Sequence, residues 1–394
     1  APLCHSARRA GGHHDRTAPP GCHSLKSRGT AEGLARDTAQ HLANGPALVA
    51  WLRQALQSQD IPLWLNSPLK ELIIENDAVV GVVVDRQGNS QRIKARSGVV
   101  IAAGGFEHNP QMRKQFFGED SSSQYTSGSP ENTGDAINAG IEAGAATDLM
   151  DDAWWAPTFM PPGQAPQIVI FERAKPGNII VNAGGQRFAN EADPYNELVK
   201  QMQEAHRAGP AALPSYLIFD ATYRDRYPLA GMLPGITAKR YLDNGVIKRA
   251  DSLEALATQV GIDPQGLAAT VTRFNAMASN GKDEDFHRGE SAFDRFSGDP
   301  NVTPNPCLAA LDTPPYYAME LYPGDLGTKG GLLTNEHAQV VRPDGTAING
   351  LYAAGNSSAA VTGSFYPGAG GTIGPAMTYG YIAALHAAGR LETA

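Results

Sequence analysis

Three features of the chain predict an α/β fold. Val99–Ala102 is a short, continuous apolar run that leads into Gly104-Gly105. That is the pattern of a buried parallel strand, and in open α/β sheets the ligand crevice lies at such carboxyl ends. "NTGDAINAGIEAGAATDLM" reads as a helix whose alanines and glycines allow tight packing. "AINGLYAAGN" reads as a turn and a second buried strand. A long glycine-rich connection joins it to the helix "PAMTYGYIAALHAAG", which has Pro375 in its first turn and Gly389 near its end.

The remaining elements follow in order. "PALVAWLRQALQSQ" is expected as a helix opened by Pro46, with Leu48, Val49, Leu52 and Leu56 on one face. "IPLWLNSP" is expected as a short strand. From Glu71 to Phe106 the pattern is strand, turn, strand, turn, strand, strand, with turns at Asn76-Asp77 and Gln87-Gly88-Asn89. The middle third carries more prolines and tyrosines and two marked helices. Asp251 is expected to cap a run with Leu253, Leu256 and Val260 on one face, and Glu254 to complete a capping box. Asp263-Pro264 opens the next helix, with Leu267, Val271 and Phe274 inward.

Composition narrows the function. The 394 residues suffice for two domains. A net charge of -8 leaves no basic field for nucleic acid. No apolar run is long enough to span a membrane. Three cysteines, Cys4, Cys22 and Cys307, make no disulfide framework and fit a cytoplasmic setting, with the inner-membrane surface as the alternative. Residues 1–34 have no hydrophobic period and are expected as a disordered or aberrant leader. Its Cys4, His5, His13, His14, Cys22 and His23 match no zinc spacing, and no metal is expected.

Two stretches carry candidate chemistry. "GSFYPGAGGTIGPAM", Gly363–Met377, sets one tyrosine, Tyr366, among glycines before a helix N-terminus, with no Lys, Arg or carboxylate. Free N–H groups and the helix dipole there suit an anion: a phosphate, a reduced flavin or an enolate oxygen. The alternative is a glycine-rich loop with a tyrosine packed for its area. "GGQRFANEADPYNE", Gly184–Glu197, presents Arg187, Asn190 and Glu191, then a turn at Asp193-Pro194 and at once Tyr195. The alternative there is a structural ion pair and a surface tyrosine.

From about Asn44 to the C-terminus the chain resembles the flavoproteins related to fumarate reductase and 3-ketosteroid dehydrogenases. The likeness rests on "SGVVIAAGGFEHNP", "NTGDAINAGIEAGA", "GNIIVNAGGQRFANEADPY", "GIDPQGLAATVTRFNAMASNGKDEDFHRG", "GDLGTKGGLLTNEHAQVVRPDGTAINGLYAAGN" and "YPGAGGTIGPAMTYGYIAA", in the family's order. Dicarboxylate-binding relatives carry an arginine four residues after the Asn-Glu pair and another in the glycine-rich segment. This chain has Tyr195 and Tyr366 there. Arginines fork onto carboxylates, whereas two phenols suit a neutral ketone. That exchange resembles the 3-oxosteroid 1-dehydrogenases.

The resemblance implies FAD, a 3-ketosteroid substrate and a quinone or other electron acceptor. Tyr366 hydroxyl and the Gly370 N–H would hold the steroid C3 carbonyl. Tyr195, as phenolate, would take the C2 proton while C1 hydride passes to flavin N5. Gly104, Gly105, Gly355, Asn356, Gly371, Thr372 and Ile373 would meet the flavin. The implied fold is a Rossmann-like FAD-binding domain, 35–157 with 324–394, and an inserted α+β catalytic domain, 158–323. The family's first strand and G-x-G-x-x-G turn are not found before Gly104, so that FAD-binding domain is expected to be incomplete. A 4-dehydrogenase acting on the same substrates, and a truncated non-catalytic steroid- or flavin-binding chain, are the alternatives.

Overall fold

The computed structural model describes residues 44–391. The leader expected at 1–34 therefore lies outside the described residues. The described residues fall into two units, divided between Ser67 and Pro68. In the first, a helix spans Asn44–Ser58 with Pro46 in its first turn. The expected strand at "IPLWLNSP" does not form. Pro62 and Pro68 lack the N–H a ladder needs, and Leu63 and Leu65 stay more than half exposed.

The second unit holds the site. Its first block supplies β1 (Leu69–Glu75), β2 (Ala78–Arg86), β3 (Asn89–Lys94) and β4 (Val99–Ile101). The middle supplies β5 (Thr147–Asp148), β6 (Ala153–Phe159), β7 (Gln167–Ile168), β8 (Asn178–Val181), β9 (Ser215–Phe219) and β10 (Ile247–Ala250). The last block supplies β11 (Tyr316–Thr328), β12 (Gly331–Leu332), β13 (Gln339–Val341) and β14 (Ala347–Ala353).

In the first sheet β1, β2 and β3 form an antiparallel meander. Asn76 and Asp77 make its first turn with positive φ, a geometry Asn and Asp tolerate. β14 lies parallel to β2 and β4 and antiparallel to β13. Leu351, Tyr352 and Ala353 sit in register with Val99, Val100 and Ile101. Both strands therefore release their chains at one sheet edge, where the Ala354 N–H donates to the Ile101 carbonyl at 3.0 Å. The parallel pairing agrees with the sequence, but β4 is not fully buried, since Val100 is 42% exposed.

The second sheet runs β7-β6-β11-β9-β8, with β10 also on β11, and its pairs are antiparallel. Alternate side chains face two cores, as the two-residue period of a strand requires. Ile180, Leu217 and Phe219 join Leu198, Val199 and Met202 of the helix Tyr195–Ala208. Ile179, Val181 and Ile218 join the helices Leu253–Val260 and Pro264–Asn280. Asp263 caps the latter as expected. The former is capped by Ser252, one residue later than expected, because Ser252 takes the extended backbone from which its hydroxyl accepts the Ala255 N–H at 3.2 Å. Glu254 then falls in the wrong position for a capping box. Among the described residues, no helix is long and apolar enough to cross a membrane.

Candidate active site

Tyr195 is fixed by what precedes it. The buried Arg187 reaches Glu191 at 2.8 Å and Asp283 at 2.7 Å, stacked between Phe274 and Phe286. Glu191 also receives Arg288 at 3.0 Å and the Ile180 N–H at 3.1 Å. So the structural-ion-pair alternative holds for Arg187 and Glu191. Asn190 closes the turn by accepting the Ala192 N–H at 2.8 Å. Pro194 is extended, and its carbonyl accepts from Glu197 and Leu198 N–H. Tyr195 thus becomes the first residue of the helix Tyr195–Ala208, where the dipole is positive.

It is not a surface tyrosine. Its hydroxyl donates to the Tyr366 hydroxyl at 2.6 Å, with the rings tilted at 56° and centroids 4.6 Å apart. The two residues picked from separate stretches of sequence therefore meet, and both are half-buried. Burial, then the bond to Tyr366, pushes the Tyr195 hydroxyl well above its ordinary pKa, while Arg173 pulls the other way. In this arrangement the Tyr195 hydroxyl is thus less acidic than that of a free tyrosine.

The loop of Tyr366 leads into the helix Ile373–Ala387. Thr372 caps it without a side-chain bond. Among the described residues the N–H groups of Gly370, Thr372 and Ile373 have no acceptor. Gly370 has φ +90 and open space where a side chain would be.

At the carboxyl edge of β4 and β14, Ser357 staples the two strand ends. Its hydroxyl accepts from Ala103 N–H at 2.9 Å and donates to the Gly104 carbonyl at 2.8 Å. Gly104, Gly355, Asn356, Thr372, Ile373, Ala376 and Gly380 line a hollow of about 320 Å³. A larger one of about 460 Å³ shares Gly355, Asn356 and Thr372 and adds Gly371, Trp154 and Lys329. Gly105 lines neither. It is buried, and a side chain there would strike Thr328 Oγ1. Tyr195, Tyr366 and Gly370 also lie outside these two hollows.

Sequence reasoning missed three residues beside the loop: Asp152, Lys200 and Lys329. Lys329 is fully buried, with its ammonium 4.8 Å from the Trp154 ring centre. Burial lowers its pKa, and Asp152 opposes that shift. The signal available was a lysine inside the apolar, glycine-rich "GDLGTKGGLL".

The FAD binding domain family matches residues 4–373. The chain belongs to this family. This FAD-binding chain is 49% identical over 365 residues to a 3-oxosteroid 1-dehydrogenase of Mycobacterium tuberculosis, covering 90% of itself and 65% of that protein. It is 47% identical over 351 residues to a 3-oxosteroid 1-dehydrogenase of Mycolicibacterium smegmatis, covering 86% of itself and 62% of that protein. The crystal structure of a 3-ketosteroid delta1-dehydrogenase from Sterolibacterium denitrificans, in complex with 1,4-androstadiene-3,17-dione, matches it with a TM-score of 0.87 at 46% identity. That match covers 92% of this chain and 66% of that one. The chain thus spans somewhat less than two thirds of the length of these relatives.

FAD is the group this membership implies, and the described residues fit its ring end. Gly104 and Gly355, with φ +82 and +67, form the strand ends, the side-chain position of Gly104 being taken by Asn132 and that of Gly355 lying 3.4 Å from Ala376 Cβ. Ala376 and Gly380 keep the wall of the smaller hollow flat. The Asn356 side chain lines both hollows and makes no hydrogen bond among the described residues. The N–H groups of Thr372 and Ile373 offer donors to an electron-rich ring edge.

Proposed function

We propose that this chain serves the 1,2-desaturation of 3-ketosteroids, the activity its relatives' names carry. One observation carries the reading: the Tyr195–Tyr366 hydroxyl pair at 2.6 Å. It replaces two arginines of carboxylate-binding relatives with neutral donors. The likeness to the 3-oxosteroid 1-dehydrogenases supports the same assignment.

The chain's own residues have these roles. Tyr366 hydroxyl and the free Gly370 N–H hold the C3 carbonyl and stabilise the negative charge that develops on it. Each such donor contributes about 3 kcal/mol to the transition state. Tyr195 takes the C2 proton, having released its bond to Tyr366, and Arg173 and the helix N-terminus favour its anionic form. When bound, FAD would supply the acceptor for the C1 hydride. The C2–H and C1–H bonding pairs thus become the new C1=C2 bond and the transferred hydride. Gly104, Gly355, Asn356, Gly371, Thr372 and Ile373 hold the flavin. Gly105 supports the turn beneath it.

We place the FAD-binding part, an incomplete Rossmann-like domain, at 35–157 with 324–394, and the catalytic insert at 158–323. The first sheet is drawn from β1–β4, β13 and β14 and the second from β6–β11, which supports a two-part division, with β6 and β11 straddling its boundaries. A quinone or similar acceptor reoxidises the flavin, in the cytoplasm or at the inner-membrane face.

The test is direct. The protein is given FAD, a 3-ketosteroid saturated at C1–C2 and C4–C5 and an artificial acceptor, and the product is identified by mass spectrometry and NMR. A C1–C2 double bond is expected. A C4–C5 double bond would assign the 4-dehydrogenase. Binding of flavin without any desaturated product would assign a non-catalytic chain.

A further inference from the structure

We propose that Asp152, Lys200 and Lys329 form a clamp that sets the Tyr366 loop against the Tyr195 helix, as positioning residues for proton abstraction. The chemical role rests on the function proposed above, while the geometry stands apart from it.

Lys329 donates to the Ser364 carbonyl at 2.7 Å and lies 3.4 Å from the Phe365 carbonyl. Lys200 donates to the same Ser364 carbonyl at 3.2 Å. Tyr366 is two residues further on. Both ammonium groups also meet one oxygen, Asp152 Oδ2, at 3.3 Å. The other oxygen, Oδ1, accepts from Trp155 Nε1 at 2.9 Å and Ala153 N–H at 2.8 Å, which ties the carboxylate to β6. The three residues come from three elements. Asp152 precedes β6, Lys200 sits five residues after Tyr195 on its helix, and Lys329 follows β11.

Mere filling does not call for this arrangement. A fully buried ammonium is costly unless paired and hydrogen-bonded. Two ammonium groups, that of Lys329 fully buried, converging on one backbone carbonyl is more than that carbonyl needs. The loop has little else to hold it. Phe365 is 78% exposed and Val361 57%, so apolar burial contributes little. Loosening the clamp would spread the Tyr366 hydroxyl over positions away from its 2.6 Å contact, and reacting groups displaced by about 1 Å lose rate on the order of 100-fold. Steroid affinity, set by the rest of the pocket, would change less.

Hydrogen exchange on the whole chain tests the clamp without relying on turnover. Lys329→Met and Lys200→Met are compared with the unaltered protein, following peptides from Ala359 to Gly371, where the Ala359, Ala360, Gly363 and Gly371 N–H groups are hydrogen-bonded, and, as control, β8 and β9. The loop is expected to exchange about 10-fold faster or more in Lys329→Met and to move in the same direction in Lys200→Met, with the control strands unchanged. In active protein, kcat should fall by about 10-fold or more with KM within about two-fold, and Lys200→Arg should restore it. Unchanged loop exchange in the folded variants would overturn the clamp. If Lys329→Met exchanges globally, Lys200→Met decides, since its side chain is 28% exposed and its loss leaves Asp152 still paired with Lys329. Faster loop exchange in a protein that desaturates nothing would uphold the clamp and remove the functional reading.

Discussion

Tyr195 and Tyr366, 171 residues apart in sequence, share a hydroxyl–hydroxyl bond of 2.6 Å in which Tyr195 is the donor. In the function proposed above, the proton in that bond is the one Tyr195 must lose before it can act as a base. Burial and Tyr366 both hold it in place. Tyr366 is the acceptor in this pair, so its own hydroxyl hydrogen stays free to donate to a further acceptor such as a ketone oxygen.

The raised pKa of Tyr195 fixes a pH dependence. With Tyr195 as the proposed base the active form would be the phenolate, and the folded pKa lies above the ordinary value of about 10. At pH 8 about 1% or less of the residue is ionised, so log kcat/KM should climb with pH at a slope near 1 from about pH 7 to 9.5. Steady-state kinetics across that range checks this. A flat profile would mean that another group takes the proton.

Tyr195→Phe should lower turnover by about 100-fold or more, the usual scale for loss of a general base, and should erase the alkaline rise. Steroid binding, measured by equilibrium titration, should barely change. Near-normal turnover would remove Tyr195 from the base role.

Tyr366→Phe removes a donor to an enolate, an interaction made mainly in the transition state. Turnover should therefore fall more than affinity, and phenolic ligands that mimic the enolate should bind more weakly. A change confined to KM would leave Tyr366 as a packing residue.

Much of this was legible in sequence because local signals and burial agreed. The meander Leu69–Lys94 follows its turn residues, and Leu267, Val271 and Phe274 face inward as their spacing requires. Tyr195 and Tyr366 were found by what they replaced. The rest depends on distant partners. "IPLWLNSP" has strand-like composition but forms no ladder. Gly105 reads as a cofactor glycine, yet Thr328 is what its missing side chain accommodates. Lys329 and Asp152 meet across 177 residues, and no local pattern announces that pair.

Glu191 offers a stability test that also bears on the site. Burial alone would raise its carboxyl, but Arg187 and Arg288 outweigh burial and hold it below the usual range. A depressed carboxyl stabilises the fold above its unfolded pKa of about 4.3, and that contribution is lost as pH falls through the folded value. Glu191→Gln keeps the shape and leaves two buried guanidinium groups without their shared anion. The expected cost is about 3–5 kcal/mol at pH 7, read from urea unfolding. The gap between variant and unaltered protein should narrow below about pH 4.3, where the unfolded chain takes up a proton that the folded Glu191 does not. Tyr195 stands four residues after Glu191 at the end of the same turn, so turnover of the folded variant should also fall. A variant as stable as the unaltered protein at pH 7 would show that Asp283 alone satisfies Arg187, and that the turn before Tyr195 is held by its backbone bonds.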